Sequence, residues 1–259
     1  MPKQSLSNRA RLGLFFAAII CQSAMSEQDV DDSPPGLTEY MGRQIAFTMH
    51  YTGAPWLIRE SRQREEDCST MLRELRLKPG MTVCDMGCGN GFYSLPLAKE
   101  VGNKGTVLAV DIQPEMLRML EARAAEADLD NVTGTLGAVD NPKLPTGKVD
   151  LILCVDVYHE FSHPEQMLVA MRKSLSQNGQ IVLVEFREED PTVPIKPLHK
   201  MSKKQIMKEL LSNGFKLVRS FDELPWQHMM FFARDEWPRL DVKPPQTSQE
   251  QKAPATYSP

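Results

Sequence analysis

The feature that most constrains the fold is a regular alternation of strand-like and helix-like segments that begins near residue 81. Five short apolar runs have the length and composition of buried strands: 81–86, 106–111, 132–139, 150–156 and 180–186. Helix-like runs lie between and after them, at 91–101, 114–127, 164–176 and 202–213. Strands that alternate with helices of this length form βαβ units, so the sequence predicts a parallel sheet covered by helices on both faces.

The two ends of the chain depart from this alternation. "FKLVRSFDELP" and "QHMMFFARD" follow the last helix with no helix between them, which predicts two antiparallel neighbours. Two helical stretches, 37–50 and 55–76, are predicted ahead of the first strand. The predicted fold class is therefore α/β, with a seven-stranded, mostly parallel, doubly wound sheet, an antiparallel last strand and additional N-terminal helices.

The domain organisation follows from changes in composition along the chain. Residues 1–26 combine basic residues, the ten-residue apolar run 12–21 and small residues at 24–26, which is typical of a signal peptide. An uncleaved anchor and an upstream start-site error are the alternatives. The chain is thus expected to be exported or membrane-associated, or cytoplasmic if the start site is wrong. The remaining predicted segments are a linker at 27–36, a helical lid at 37–77, the main domain at 78–237 and a disordered tail at 238–259.

A glycine-rich turn follows the first strand of the alternation. In "VCDMGCGNGF", Gly87, Gly89 and Gly91 occupy alternate positions, and Asp85 precedes them by two residues. Glycines let the backbone approach a ligand closely, and open α/β sheets bind ligands at this edge. A dinucleotide fingerprint would need glycine at Phe92. An acid before the turn suits a cofactor with positive charge and amino groups, and S-adenosylmethionine carries a sulfonium and an ammonium.

These motifs resemble those of the class I S-adenosylmethionine-dependent methyltransferases over about residues 75–235. "CDMGCGNG" is similar to their first motif and "LAVDIQPEML" to their second, with the closest likeness to the small-molecule branch that includes quinone methyltransferases. The resemblance implies that Asp111 binds the ribose hydroxyls and that Asp140 lies near the adenine amino group. It also implies that "CVDVYHEF" lies by the methionine part and the substrate. The implied cofactor-binding residues are Asp85, Gly87, Gly89, Gly91, Asp111, Ile112, Asp140 and Asp156.

Two histidines are candidates for catalytic work on the methyl acceptor. His159 follows the fourth strand, where the resemblance places the acceptor, and histidine titrates near neutrality, so it is the first candidate for a general base. His199 and Lys200 belong to a Pro-rich loop, 187–202, that is expected to cover and contact the substrate. Packing or helix capping is the alternative role for His159, and an ordinary basic helix entrance is the alternative for His199 and Lys200. A thiol or arsenite acceptor would need no base.

Composition excludes some classes of partner. The net charge of −4 gives no reason to expect nucleic acid. No apolar run reaches the roughly 18 residues that indicate a membrane-spanning helix, so no span is expected in the mature chain. The spacing of the cysteines contains no metal-binding pattern, and no metal site is predicted. The sequence leaves the oligomeric state open.

Together these features predict an enzyme, an S-adenosylmethionine-dependent methyltransferase that acts on a small-molecule acceptor by in-line methyl transfer. The alternative from another class is a non-catalytic S-adenosylmethionine-binding or scaffold protein. Such a protein would keep Asp85 and Asp111 and would lose a working pocket beyond the fourth strand. The intact "DVYHEF" segment favours the enzyme.

Overall fold

The computed structural model describes residues 35–236, so the predicted leader at 1–26 and the predicted tail at 238–259 lie outside the described residues. The strands are β1 (Glu39–Tyr40), β2 (Arg43–Gln44), β3 (Thr82–Met86), β4 (Thr106–Asp111), β5 (Val132–Leu136), β6 (Val149–Val155), β7 (Leu175–Arg187), β8 (Lys200–Met201), β9 (Phe215–Phe221) and β10 (Gln227–Arg234). The helices are α1 (Ala54–Leu57), α2 (Arg62–Glu66), α3 (Cys68–Glu74), α4 (Ser94–Val101), α5 (Pro114–Glu126), α6 (Pro164–Ser174) and α7 (Lys203–Ser212). Single 3-10 turns lie at Tyr51–Gly53, Tyr158–Glu160 and Pro197–His199.

The main sheet has the strand order β5-β4-β3-β6-β7-β10-β9, with the two-residue β8 beside β7. Strands β3 to β7 pair in parallel, while β10 is antiparallel to both β7 and β9. The predicted α/β fold, with seven principal strands and an antiparallel last strand, is confirmed. The chain runs outward from β3 to β5 and then returns to β6 on the other side of β3. Ligands of open α/β sheets bind at such a reversal, beyond the carboxyl ends of the strands.

The central strands are apolar on both faces because each face packs against a separate layer. Successive strand residues point to opposite sides, so Cys84 and Ile152 join one core cluster while Val83 and Leu151 join the other. All of these side chains are buried. The four cysteines among the described residues are free thiols in buried positions, as expected for small core residues. Within residues 35–236, none of the helices is both long and apolar enough to span a bilayer.

The N-terminal region differs from the sequence-based prediction. The helix predicted over 37–50 is wrong, because β1 and β2 form a hairpin there and 45–50 is irregular. Met41 and Gly42 both have positive φ, +48° and +91°, which is the turn geometry that closes a two-residue hairpin. The helix predicted over 55–76 is divided into three short helices. Asp67, at φ +47°, ends α2, and its side chain caps α3 by accepting a hydrogen bond from the Thr70 amide.

An ion pair with a buried glutamate fixes this hairpin to the main domain. Arg43 donates hydrogen bonds of 2.7 and 3.1 Å to the two carboxylate oxygens of Glu209 on α7, and Glu209 is fully buried. Tyr158 donates to the same carboxylate at 2.7 Å, and Arg43 also donates to the His159 carbonyl at 3.0 Å. The hairpin, α7 and the turn after β6 are therefore held together through one glutamate.

Glu209→Ala is expected to lower the free energy of unfolding by about 3 kcal/mol, because it leaves the half-buried Arg43 guanidinium and the buried Tyr158 hydroxyl without their acceptor. Urea denaturation followed by circular dichroism measures the change. Glu209→Gln keeps hydrogen-bond acceptor capacity and should cost less. Glu126→Ala, an exposed glutamate at the end of α5, is the matched control. Equal stability of the Glu209→Ala and Glu126→Ala variants would contradict a structural role for the ion pair.

Candidate functional site

A cavity of about 550 Å³ opens at the carboxyl edge of the sheet, at the reversal of strand order. Its walls are the glycine turn after β3, the end of β4, the turn after β6, the loop ahead of β8 and part of the N-terminal region from residue 47. Most of the lining side chains are apolar. The ionisable residues that line it are Arg62, Asp111, Asp156, His159, Glu160, Lys196 and His199.

The glycine turn has a backbone that other residues rarely adopt. Gly87, Gly89 and Gly91 all have positive φ, at +67°, +53° and +83°. A Cβ on Gly87 would overlap the Val157 side chain, and a Cβ on Gly89 would lie 2.6 Å from a methyl of Leu57. The turn therefore depends on glycine for both its conformation and its close contacts.

Asp111 connects the glycine turn to the end of β4. Its Oδ2 accepts a hydrogen bond from the Gly89 amide at 2.9 Å, and its Oδ1 accepts one from the Gln113 amide at 2.8 Å. Burial raises the pKa of Asp111, while these backbone amides lower it. Each carboxylate oxygen can accept a further hydrogen bond. The side chain thus both orders the turn and offers free acceptor capacity to the cavity it lines.

Asp85 lies underneath the turn and does not line the cavity. It is buried on β3, and the Ser94 hydroxyl donates to its Oδ2 at 2.5 Å. Burial raises the pKa of Asp85 to about 6, against the lowering effect of the Ser94 hydrogen bond. Asp85 therefore supports the start of α4 from within the core.

The raised pKa of Asp85 predicts a pH dependence of stability. The folded state binds this proton more tightly than the unfolded state, so the contribution of Asp85 is lost as pH rises from about 4 through 6. At 1.36 kcal/mol per pKa unit the loss is up to about 3 kcal/mol. Asp85→Asn should keep the Ser94 hydrogen bond and remove this loss. Denaturation of both proteins from pH 4 to 8 tests it, and parallel stability curves would contradict it.

Asp156, which directly follows β6, has a carboxylate oxygen without a partner. Its Oδ2 accepts a hydrogen bond from Gln227 at 2.7 Å, but its Oδ1 is buried and makes no hydrogen bond to the described residues. Burial, together with the Glu66 and Glu185 carboxylates, raises the pKa of Asp156 well above its usual range. Its backbone has φ +50°, an uncommon conformation for an aspartate. The surroundings of Asp156 therefore favour a cationic ligand group at Oδ1.

Arg62 on α2 brings a positive charge to the same cavity. It is 4% exposed, and it donates to Glu66 and to the Leu57 carbonyl, each at 2.8 Å. Its guanidinium also stacks on the Phe92 ring, 4.3 Å from the centroid. Its Nη2 makes no hydrogen bond to the described residues. A guanidinium with a free arm suits a carboxylate ligand.

Beyond these residues, three side chains form a hydrogen-bonded chain, which we call the histidine relay: Glu185, His159 and His199. The fully buried Glu185 on β7 lies 2.7 Å from Nδ1 of His159, and Nε2 of His159 lies 3.0 Å from Nδ1 of His199. An ionised carboxylate only accepts hydrogen bonds, so Nδ1 of His159 carries a proton in this arrangement. Nε2 of His159 then accepts from His199, and Nε2 of His199 keeps its lone pair.

The electrostatics of the relay favour a proton on the inner ring. Burial lowers the pKa of His159, but the Glu185 carboxylate outweighs burial and the pKa stands above its usual range. Burial and the neighbouring His159 lower the pKa of His199. A proton taken up at His199 would thus be stabilised by transfer towards Glu185.

Glu160 completes the polar wall of the cavity. Burial raises its pKa to about 7, and its Oε1 lies 3.9 Å from Nε2 of His159. His159, Glu160 and His199 each offer one ligand atom, and these atoms lie within 4.8 Å of one another. Among the described residues, this is a group that could hold a metal ion.

The structure brings most of the sequence-predicted site residues together. Gly87, Gly89, Asp111, Ile112, Asp156, His159 and His199 all line the cavity, whereas Asp85, Gly91 and Asp140 do not. β5 ends at Leu136, three residues earlier than predicted, and Ala138 and Asn141 then form a hydrogen-bonded turn. This turn holds Asp140, while the neighbouring Ala138 and Val139 line the cavity.

Sequence reasoning missed Glu185 and Arg62. A signal for Glu185 was available, because it is a charged residue inside the apolar run "QIVLVEF", where a buried carboxylate needs a partner. Arg62 had no such signal, since it lies in the charged segment "RESRQREED". Only the packing of α2 over the cavity distinguishes it from its exposed neighbours.

The fold and this cavity define an α/β domain with a candidate ligand site at the reversal of strand order. Residues 77–239 match the family described as a methyltransferase domain, and the chain belongs to this family. The chain is similar to nocamycin O-methyltransferase of Saccharothrix syringae, with 40% identity over 75 residues, 29% of this chain and 27% of that protein. It is also similar to demethylmenaquinone methyltransferase of Listeria monocytogenes serotype 4a, with 26% identity over 123 residues. These residues are 48% of this chain and 51% of that protein.

Among solved structures, the chain is similar to a SAM-dependent methyltransferase from Aquifex aeolicus. The two are 26% identical with a TM-score of 0.67, over 71% of this chain and 98% of that one. The predicted family resemblance is thereby confirmed. The match to the two curated relatives spans between about a quarter and a half of their length.

Proposed function

We propose that the chain is an S-adenosylmethionine-dependent methyltransferase that acts on a small-molecule acceptor. The observation that carries this proposal is the lining of the cavity. Asp111, Asp156 and Arg62 lie at one side, and the histidine relay ends at the other. When bound, S-adenosylmethionine supplies an electrophilic methyl group on a sulfonium. Family membership and the likeness to the Aquifex aeolicus enzyme support the same activity.

The residues present fit this cofactor. The free acceptor capacity of Asp111 would bind the ribose hydroxyls, next to the glycine turn that lines the cavity. The unpartnered Oδ1 of Asp156 would accept from the ammonium, and the free arm of Arg62 would bind the carboxylate. A dinucleotide would instead place a pyrophosphate in a cavity that contains two acids and one arginine at these positions. The charges therefore favour the methionine cofactor.

The acceptor would bind against the turn after β6 and the loop that carries His199. Nε2 of His199 would take the proton of an acceptor hydroxyl, and His159 and Glu185 would stabilise the resulting charge. The protein's other contribution is to align the acceptor and exclude water within an apolar cavity. A non-catalytic scaffold would have no use for a buried relay that ends in this cavity, so the relay favours the enzyme.

Calorimetry on the full chain tests the cofactor assignment. S-adenosylmethionine and its demethylated product, S-adenosylhomocysteine, are expected to bind, and NADH is not. A screen of small-molecule acceptors with methyl-labelled cofactor then tests transfer. Binding of NADH without binding of S-adenosylmethionine would contradict the proposal. Binding of the cofactor without transfer to any acceptor would favour the scaffold.

We further propose that residues 1–26 direct the chain to export or to a membrane. The support is their sequence, with basic residues ahead of the apolar run 12–21. An exported enzyme would need a supply of cofactor outside the cytosol, where the cofactor is made. N-terminal sequencing of the chain recovered from cell fractions tests this: a new terminus after residue 26 supports cleavage. A terminus at Met25 in the cytosolic fraction supports a start-site error.

A further inference from the structure

We propose that His159, Glu160 and His199 bind one divalent transition-metal ion of the Zn²⁺ or Co²⁺ type at the acceptor end of the cavity. The role of the ion rests on the proposed function, since it would contact the methyl acceptor. The sequence predicts no metal site, because its cysteine spacing contains no metal-binding pattern. The ligands come instead from two separate turns, Tyr158–Glu160 and Pro197–His199, which the sheet brings together.

The distances are close to those of a metal site. Two ligands of one ion, each about 2.1 Å from it, lie no more than about 4.2 Å apart. Nε2 of His159 is 3.0 Å from Nδ1 of His199 and 3.9 Å from Oε1 of Glu160, so both pairs satisfy this limit. All three ligand atoms lie within 4.8 Å of one another. A side-chain adjustment of less than about 1 Å would complete the set.

His159 already has a hydrogen-bond partner of the kind that supports metal-binding histidines. Such histidines donate their second ring N–H to a carboxylate or carbonyl, which fixes the tautomer and the ring orientation. Glu185 provides this contact to Nδ1 of His159 at 2.7 Å, so Nε2 presents a lone pair towards Glu160 and His199. Glu185 is itself fixed, since its other oxygen accepts from the Tyr158 amide at 3.0 Å.

The turn that carries two of the ligands is held rigidly by its own surroundings. The His159 carbonyl accepts hydrogen bonds from the Ala46 amide at 3.1 Å and from Arg43 at 3.0 Å. The Tyr158 hydroxyl is bound to the buried Glu209. A metal site needs ligands that are positioned before the ion arrives, and this frame positions His159 and Glu160 independently of any ion.

The donor set determines the kind of ion and what it would do. Two imidazoles and one carboxylate suit Zn²⁺, Co²⁺ and similar ions, whereas Mg²⁺ and Ca²⁺ prefer oxygen ligands. Three protein ligands leave at least one position open, as in catalytic zinc sites, and all three residues line the cavity. An acceptor hydroxyl at that position would lose its proton to water, and its oxygen would keep the electron pair as an anionic nucleophile. The ion would take the place of the proton between the two imidazole rings, and activation of the acceptor by the ion would then replace general-base catalysis by His199.

Titration of the chelator-treated full chain with CoCl₂ tests the site, because bound Co²⁺ has a visible absorption that depends on its ligands. We expect one Co²⁺ per chain, displaced by ZnCl₂. Glu160→Gln and His199→Ala should each weaken binding at least tenfold, and Glu185→Gln should weaken it about 10–100-fold through the outer contact. His50→Ala, a histidine outside the cluster, is the matched control and should bind Co²⁺ as the parent does.

Calorimetry with S-adenosylhomocysteine on the same samples separates this proposal from the proposed function. Cofactor binding without Co²⁺ binding overturns the metal site and leaves the methyltransferase proposal intact. Co²⁺ binding without cofactor binding overturns the methyltransferase proposal and leaves the metal site. Co²⁺ affinity that is unchanged in both Glu160→Gln and His199→Ala also overturns the site, and these two variants make the test independent of whether a His159 variant folds.

Discussion

His199→Ala is expected to lower turnover by about 10²-fold or more, because it removes the ring that would take the acceptor proton at the cavity wall. His159→Ala should lower turnover by a similar factor, since His199 would lose the partner that receives and stabilises the proton. The affinity for S-adenosylmethionine should change little in either variant. Turnover at saturating cofactor, together with calorimetry, measures both quantities.

Glu185→Gln tests whether the relay acts as a unit. Glutamine keeps the size of the side chain and loses the negative charge that raises the pKa of His159. The limb of the pH–turnover profile that reports deprotonation of the relay should therefore move to lower pH. His50→Ala is the control for a histidine outside the cavity. Wild-type turnover and an unchanged pH profile in His199→Ala would show that the acceptor needs no base, and the Co²⁺ titration separates a base from a metal ligand.

Asp111→Ala is expected to weaken binding of S-adenosylmethionine by about 10²-fold to 10⁴-fold. Two charge-assisted hydrogen bonds to the ribose would be lost, each worth roughly 1.5–3 kcal/mol. The glycine turn would also lose the acceptor for the Gly89 amide, so a moderate loss of stability should accompany the change. Calorimetry on protein that circular dichroism shows to be folded measures the affinity.

Asp140→Ala is the informative comparison for this variant. The family resemblance implies a contact between Asp140 and the adenine, whereas the structure places this side chain outside the cavity wall. Its replacement should therefore leave cofactor affinity within about twofold of the parent. A loss as large as that of Asp111→Ala would show that the turn after β5 rearranges to bind the cofactor. An unchanged affinity in Asp111→Ala would reduce Asp111 to a structural partner of the glycine turn.

The sequence by itself determined the parallel sheet, because apolar runs of strand length separated by helical runs can bury both faces only in this way. It also determined the glycine turn and the position of Asp111, since both depend on local spacing at the end of a strand. Each of these features is encoded within a few neighbouring residues.

Only the tertiary structure decided which distant residues meet at the cavity. Local periodicity predicted a helix over 37–50, but the Met41–Gly42 turn and the pairing of Arg43 with Glu209, 166 residues away, produced a hairpin. In the sequence, Glu185 is a single charged residue within an apolar strand. Its contact with His159 exists because β6 and β7 are neighbours in the sheet. His199 meets His159 across 40 residues. Hydrogen bonds and metal ligation depend on distances in space, which sequence spacing fixes only within a single helix, strand or turn.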